Sequence, residues 1–244
     1  MDWFAYFAYN RENLMHIDWD STYCLTPQEV DTILRSLQQF QLGESSEGKH
    51  FIARAEQYVK RSGDTAYMPA LRLFIQEEQR HARDLGRFME EQELPLAQKD
   101  AVDSAFRFLR GLIDLEVMVF VLVMAEVFAM TYYKALHDAT QAPVLQQICR
   151  QILRDEVKHL QFQGGMLAKI QRGRSAPGLF ITRFLQRFLF TGTLFVVWMN
   201  HKQVYQASGF TFGKFWRKNW QHFVHTVEPQ VKRIMPFTEQ VSGS

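Results

Sequence analysis

Cysteine is nearly missing from this chain: 244 residues carry two, Cys24 and Cys149. Too distant to form a C-x-x-C pair, they exclude a disulfide framework and a thiolate metal knuckle, and a reducing, cytoplasmic setting is expected. Strand signals are also close to absent, and no low-complexity segment occurs. The longest apolar stretches, Val117 to Ala125 and Phe188 to Asn200, fall short of the roughly 20 residues a spanning helix needs, so no transmembrane segment is expected. The opening MDWFAYFAYNRE lacks the basic start and aliphatic block of a secretory signal. Acidic residues are scarce at one end only. Residues 169-244 hold 11 Lys and Arg against 2 Asp and Glu, net +9, whereas residues 1-168 hold 17 against 24, net −7. Such asymmetry suggests that the C-terminal part meets something anionic: a phosphate-bearing substrate, an acidic protein, a membrane surface, or the acidic part of the chain itself.

What the chain has is apolar content and helical pattern. A hydrophobic fraction of 47%, with 14% aromatic, supports a full core. In TPQEVDTILRSLQQF, Thr26 is a cap, Pro27 sits at the first helical position and Glu29 completes a capping box. A break is expected near Gly43, then a helix from about 44 to 61 ending at Ser62-Gly63-Asp64. Further helices are expected over about 66–92, 100–138, 143–172 and 179–207, with a basic aromatic helix after Ser208-Gly209. The stretch VMVFVLVMAEVFAM is apolar all round, as only a helix buried on every side is. The linker QRGRSAPG divides the chain, giving an N-terminal segment and helix over 1–42, a bundle over 43–173 and a helical extension over 174–244.

One constellation is written twice. Ile75 to Asp84 reads IQEEQRHARD, and Leu153 to Phe162 reads LRDEVKHLQF. Residues three apart share a helix face, so Glu78 with His81, and Glu156 with His159, can each reach one point. Leu71, Phe74, Leu85 and Phe88 on one helix, and Ile148, Ile152 and Met166 on the other, continue each pair as an apolar stripe and turn it inward. Buried carboxylates and imidazoles cost several kcal/mol apiece unless their charge is compensated. A metal centre compensates it; the alternative is ion pairing with nearby Arg80, Arg83 and Lys158. Glu126 stands alone in the most apolar helix, with no basic residue between Arg110 and Lys134, and is expected to be shared between ions. The repeat distance is 78 for both Glu78/Glu156 and His81/His159, and stepping back 79 from Glu126 gives Glu47, with Glu44 in reserve.

Two helices carrying one Glu each and two carrying Glu-x-x-His resemble the ferritin-like di-iron carboxylate proteins over about residues 44 to 172. EEQRH and DEVKH are similar to the [DE]-E-x-[RK]-H form of rubrerythrins and bacterial di-iron monooxygenases. The resemblance implies an all-α ferritin-like four-helix bundle with an N-terminal helix and a helical C-terminal extension. It implies two iron ions on Glu47, Glu78, His81, Glu126, Glu156 and His159, with Glu77 and Asp155 each accepting a ring N–H of a ligand histidine. Manganese or a mixed Mn/Fe pair suits the same oxygen and nitrogen donors. The implied activity is an O2-dependent oxidase or hydroxylase served by an external electron donor. His159 weighs against a ferritin-type ferroxidase, and Ala129 stands where peroxidase-type rubrerythrins carry an additional Glu.

The C-terminal aromatics, Phe180, Phe184, Phe188, Phe190, Phe195 and Trp198, with Trp216 and Trp220, are flanked by Arg183, Arg187, Lys214, Arg217 and Lys218. One reading is a lid over an apolar substrate with an anionic handle, such as a carrier-bound acyl group. Packing on the bundle or in a homodimer is the plain alternative. A nucleic-acid partner and a peripheral membrane contact are weaker readings. Tyr133, about two turns after Glu126, is placed to donate a hydrogen bond or carry a radical, or simply to pack. His222, His225 and Glu228 are expected to be exposed rather than a second metal site, and Cys149 to be core.

Overall fold

The computed structural model describes residues 1–45, 48–97 and 114–227. Every regular element among them is an α-helix: α1 (Trp3–Glu12), α2 (Pro27–Glu44), α3 (Lys49–Ser62), α4 (Tyr67–Glu91), α5 (Leu115–Ala139), α6 (Pro143–Gln171), α7 (Ala176–Ala207) and α8 (Phe212–Val227). The expected segment 100–113, including Gly111, lies outside the described residues.

Local chemistry sets the helix ends. Thr26 Oγ1 accepts from the Glu29 amide while Glu29 reaches back to the Thr26 amide, the reciprocal box that starts α2. Glu29 does more than cap. Its other oxygen accepts from the Gln141 amide at 2.8 Å, tying the start of α2 to the three-residue turn between α5 and α6. Such a short turn folds α5 and α6 back on each other as antiparallel neighbours. The break expected at Gly43 falls later: α2 runs through Gly43 to Glu44. The turn glycine is Gly48, at φ 64°, where a Cβ would lie 2.7 Å from the Ile75 side chain, so α3 starts in close contact with α4. Pro69 is accommodated in the first turn of α4.

Helices α2, α4, α5 and α6 meet around one apolar core, with Leu37, Leu71, Phe74, Val119, Val123, Val127, Ile148 and Ile152 buried within it. α3 lies against α4 and α5, and α1, which has no counterpart among the expected elements, packs on α4 with Phe7 fully buried. Asp2 caps α1 by accepting from the Ala5 amide at 3.0 Å. α7 covers α2 and α5; α8 covers α5 and α6. The second approach is close, since a Cβ on Gly164 would lie 2.9 Å from the Thr226 methyl.

The expectation drawn from uninterrupted apolar runs is corrected here. Two helices, Leu115–Ala139 and Ala176–Ala207, are long and apolar enough to cross a membrane by length and composition. Leu115–Ala139 is a core helix, 72% buried over its most apolar window; Ala176–Ala207 is only 17% buried there. Glu126 in the first helix, and Arg183, Gln186, Arg187 and Asn200 in the second, interrupt the runs in sequence without ending the helices.

A candidate metal centre in the bundle core

Each helix of the four-helix core sends acid or imidazole groups inward. Glu44 comes from the last turn of α2, Glu78 and His81 from α4, Glu126 from the middle of α5, and Glu156 and His159 from α6. The stripe spacing does this work: His81 and His159 continue faces occupied by Leu71, Phe74, Ile148 and Ile152, and both imidazoles are fully buried.

The donor atoms fall into two groups. Glu44, Glu78, His81 and Glu156 form one, and Glu78, Glu126, Glu156 and His159 the other, with the donor atoms of each group within 4.8 Å of one another. Glu78 and Glu156 belong to both. These two carboxylates, not Glu126 as expected, are therefore the shared members, and Glu126 serves one group only. His81 Nδ1 stands 3.8 Å from Glu78 Oε1, 3.8 Å from Glu156 Oε1 and 4.0 Å from Glu44 Oε2. His159 Nδ1 stands 2.9 Å from Glu78 Oε1, 3.5 Å from Glu156 Oε2 and 3.8 Å from Glu126 Oε2.

Behind the imidazoles the ring nitrogens and their carboxylates have partners. His159 Nε2 is 2.9 Å from Glu77 Oε2, and His81 Nε2 is 3.1 Å from Asp155 Oδ2. The pairing crosses between helices, the acid of α4 holding the histidine of α6 and the reverse. A ring that donates from Nε2 presents the lone pair of Nδ1 to the interior, the tautomer a metal requires. Asp155 is held further by Arg80 at 2.5 Å and by Gln151 at 2.8 Å. Asn10 of α1, absent from any sequence motif, donates to Glu77 at 2.6 Å and to Asp155 at 2.8 Å, while its own oxygen accepts from Arg154 at 2.6 Å. Tyr133 donates its hydroxyl to Glu44 Oε1 at 2.7 Å.

In front of the imidazoles the pattern reverses. Glu78 Oε1, His81 Nδ1, Glu126 Oε1, both oxygens of Glu156 and His159 Nδ1 are buried with no hydrogen-bond partner; even Glu78 Oε1 and His159 Nδ1, 2.9 Å apart, are out of line for one. Leaving buried polar atoms unsatisfied costs about 1–3 kcal/mol each, more for charged groups. Among the described residues no Lys or Arg pairs with Glu44, Glu78, Glu126 or Glu156: Arg80 pairs with Asp155, and Lys158 lies over the Tyr6 ring and reaches Gln161. Orphaned carboxylate oxygens and imidazole nitrogens, converging from α4, α5 and α6, fit a metal ion.

Titration behaviour points the same way. Burial, then the neighbouring acids Glu78 and Glu126, hold Glu44 well above the carboxylate range; burial and Glu126 do the same to Glu156. Burial also pushes Glu78 upward, but His159 and His81 outweigh it and leave that carboxyl below its ordinary value. Burial would lower His159, yet Glu78 and Glu156 raise it well above the usual histidine. Asp155 is drawn down against its own burial by His81 and Arg80. Without a cation, the cluster retains protons in its place, and a bound cation would displace them.

Of the sequence-expected residues, Glu78, His81, Glu126, Glu156 and His159 meet at the centre, with Glu77 and Asp155 behind them. Glu47 lies outside the described residues, and the reserve candidate Glu44 brings its carboxylate to the cluster. His222 is half-buried and His225 exposed on α8, and Glu228 lies outside the described residues. The donor set of carboxylates and imidazoles could hold a metal ion and contains no thiolate, Cys149 being buried in the core. Comparison with protein-family models, curated proteins and solved structures finds no match to this chain.

Proposed function

We propose that this chain is a ferritin-like di-iron protein that activates dioxygen to oxidise or hydroxylate an apolar organic substrate. The observation that carries the reading is the pair of donor groups sharing Glu78 and Glu156, with their inward atoms unpartnered and their imidazoles aligned from behind by Glu77 and Asp155. One ion would sit among Glu44, His81 and the shared pair, the other among Glu126, His159 and the same pair. Iron or manganese suits such donors. Two ferrous ions held in this way supply two electrons to dioxygen, which an external donor must replace at each turnover.

The chain's own part is placement and exclusion of water. Phe74 packs edge-on against the His159 ring at 4.7 Å, and Phe7 lies 6.0 Å from it. Tyr133 fixes the rotamer of Glu44, a residue at a helix end that would otherwise be loosely held. Among the described side chains, Asn10 donates to both Glu77 and Asp155, and His81, Arg80 and Gln151 hold the Asp155 carboxyl below its ordinary value, as an acceptor. The buried Ala129, in place of an additional acid, supports oxidation of an organic substrate over peroxide scavenging. The missing Lys and Arg partners weigh against a scaffold whose acids only form ion pairs.

Metal per chain tests the reading. After anaerobic loading with ferrous iron and desalting, plasma mass spectrometry is expected to find close to two irons per chain, and exposure to air is expected to consume dioxygen. Glu156→Ala removes a shared carboxylate and is expected to abolish both sites together. One iron or none in the unsubstituted chain, with manganese equally absent, overturns the proposal.

A further inference from the structure

Helix α7 presents an unusual outer face. Phe180, Phe184, Leu185, Phe188, Phe195 and Met199 are exposed by 72%, 62%, 52%, 69%, 51% and 64%. Spaced by ones, threes, fours and sevens, they fall on one side of the helix, in a stripe about 28 Å long at 1.5 Å per residue. With the aliphatic side chains between them, the stripe offers on the order of 1,000 Å² of apolar surface, beyond the roughly 300–600 Å² of the largest patch on a typical monomer. The opposite side is accounted for: Gln186, Phe190, Leu194, His201, Val204 and Tyr205 are buried against the rest of the protein.

Charge narrows what can cover the stripe. Between Gln171 and Val227 the sequence contains no Asp or Glu. Arg217 and Lys218 are exposed, and so is Lys202, which ends the stripe one turn after Met199. A second copy docking through the same face would set two such cationic surfaces together, with no acid from either helix to offset them. Anionic headgroups supply that offset, and acyl chains cover the phenylalanines.

We infer that the outer face of α7 docks this protein on an anionic lipid bilayer, lying in the interface rather than crossing it. The inward face of α7 carries the buried polar groups Gln186 and His201 and is packed on α2, α5 and α8, so the helix has one face to give to lipid, not a full circumference. Insertion of such a face to a depth of about 5–10 Å is the geometry of an interfacial amphipathic helix. This inference is independent of the metal centre.

The test is co-sedimentation of the full chain with phosphatidylcholine vesicles and with vesicles of phosphatidylcholine and phosphatidylglycerol at about 7:3, alongside analytical ultracentrifugation of the chain alone. Selective binding to the anionic vesicles is expected, weakened several-fold on raising salt from about 0.1 to 0.5 M. The double variant Phe184→Ser/Phe188→Ser should bind at least about tenfold more weakly, and Lys202→Glu several-fold more weakly, each at an unchanged melting temperature because the sites are exposed. Should the double variant misfold, Lys202→Glu decides alone. Equal binding to neutral vesicles, no binding to either composition, variants that bind like the parent, or a dimer that the double variant splits would each overturn the inference.

Discussion

Asn10→Ala is the sharpest probe of the metal centre, because it replaces neither a donor group nor any residue of the repeated motif. The Asn10 side chain is buried, at 3% exposure, and joins three charged groups: Glu77 at 2.6 Å, Asp155 at 2.8 Å and Arg154 at 2.6 Å. Hydrogen bonds to charged groups contribute about 1.5–3 kcal/mol each. The two carboxylates keep other partners, His159 for Glu77 and His81, Arg80 and Gln151 for Asp155, so the full penalty of a stranded charge does not apply. A loss of about 2–4 kcal/mol in the metal-free chain is expected, lowering the melting temperature by roughly 5–15 °C for a chain of this size. The two acids also aim the ring nitrogens of His81 and His159, so metal affinity should fall about 10–100-fold. Urea unfolding of the metal-free protein, together with metal titration against a chromophoric chelator, reads both effects. Exposed Asn13, which donates to the Tyr9 carbonyl, provides the control as Asn13→Ala. If Asn10→Ala changes the melting temperature by under about 1 °C and leaves metal affinity alone, α1 does not brace the centre, and the crossed support is wrong.

Three further outcomes follow from the geometry. Glu126→Ala should lower the metal content from two ions to one while leaving the metal-free chain no less stable, since it removes a buried acid facing Glu156; thermal melts with and without metal show the opposite signs. Tyr133→Phe deletes the 2.7 Å bond to Glu44 and should weaken one of the two stepwise metal affinities by about tenfold, the other staying unchanged in a stepwise titration. His201, buried near Arg35 and hydrogen-bonded to Ser36 through Nδ1, is pushed by burial from 6.5 down to about 4. A lowered histidine favours the neutral form in the folded state, so its contribution is full above about pH 6.5 and is lost as pH falls toward 4, by about 3 kcal/mol in total. Urea unfolding between pH 7 and 4 should show that loss in the parent and not in His201→Gln; parallel curves for the two would refute it.

How much of this was legible beforehand varies with the range of the interaction. Stripe periodicity along one helix placed Glu78, His81, Glu126, Glu156 and His159 inward, since a helix fixes the direction of each side chain relative to its near neighbours. Capping chemistry at Thr26, Pro27 and Glu29 located the start of α2 for the same local reason. Repeat arithmetic pointed to Glu47, which lies outside the described residues, whereas the reserve Glu44 reaches the cluster from a different spacing: Glu44 to Glu78 spans 34 residues and Glu126 to Glu156 spans 30. The connection through α3 sets the Glu44 spacing, and a spacing carried over from the other half does not contain it.

Sequence alone determined what each helix would bury: an all-α chain, two Glu-x-x-His pairs turned inward, and an acid in the most apolar helix, because helical periodicity is a property of a single segment. Tertiary structure decided what those segments do to one another. It made Glu78 and Glu156 the shared carboxylates and crossed the support of His81 and His159 between helices. It brought Asn10 across 67 positions to Glu77 and 145 to Asp155, and left one face of α7 uncovered. Those outcomes depend on how helices pack and how long their connections are, and no periodicity within one segment carries that information.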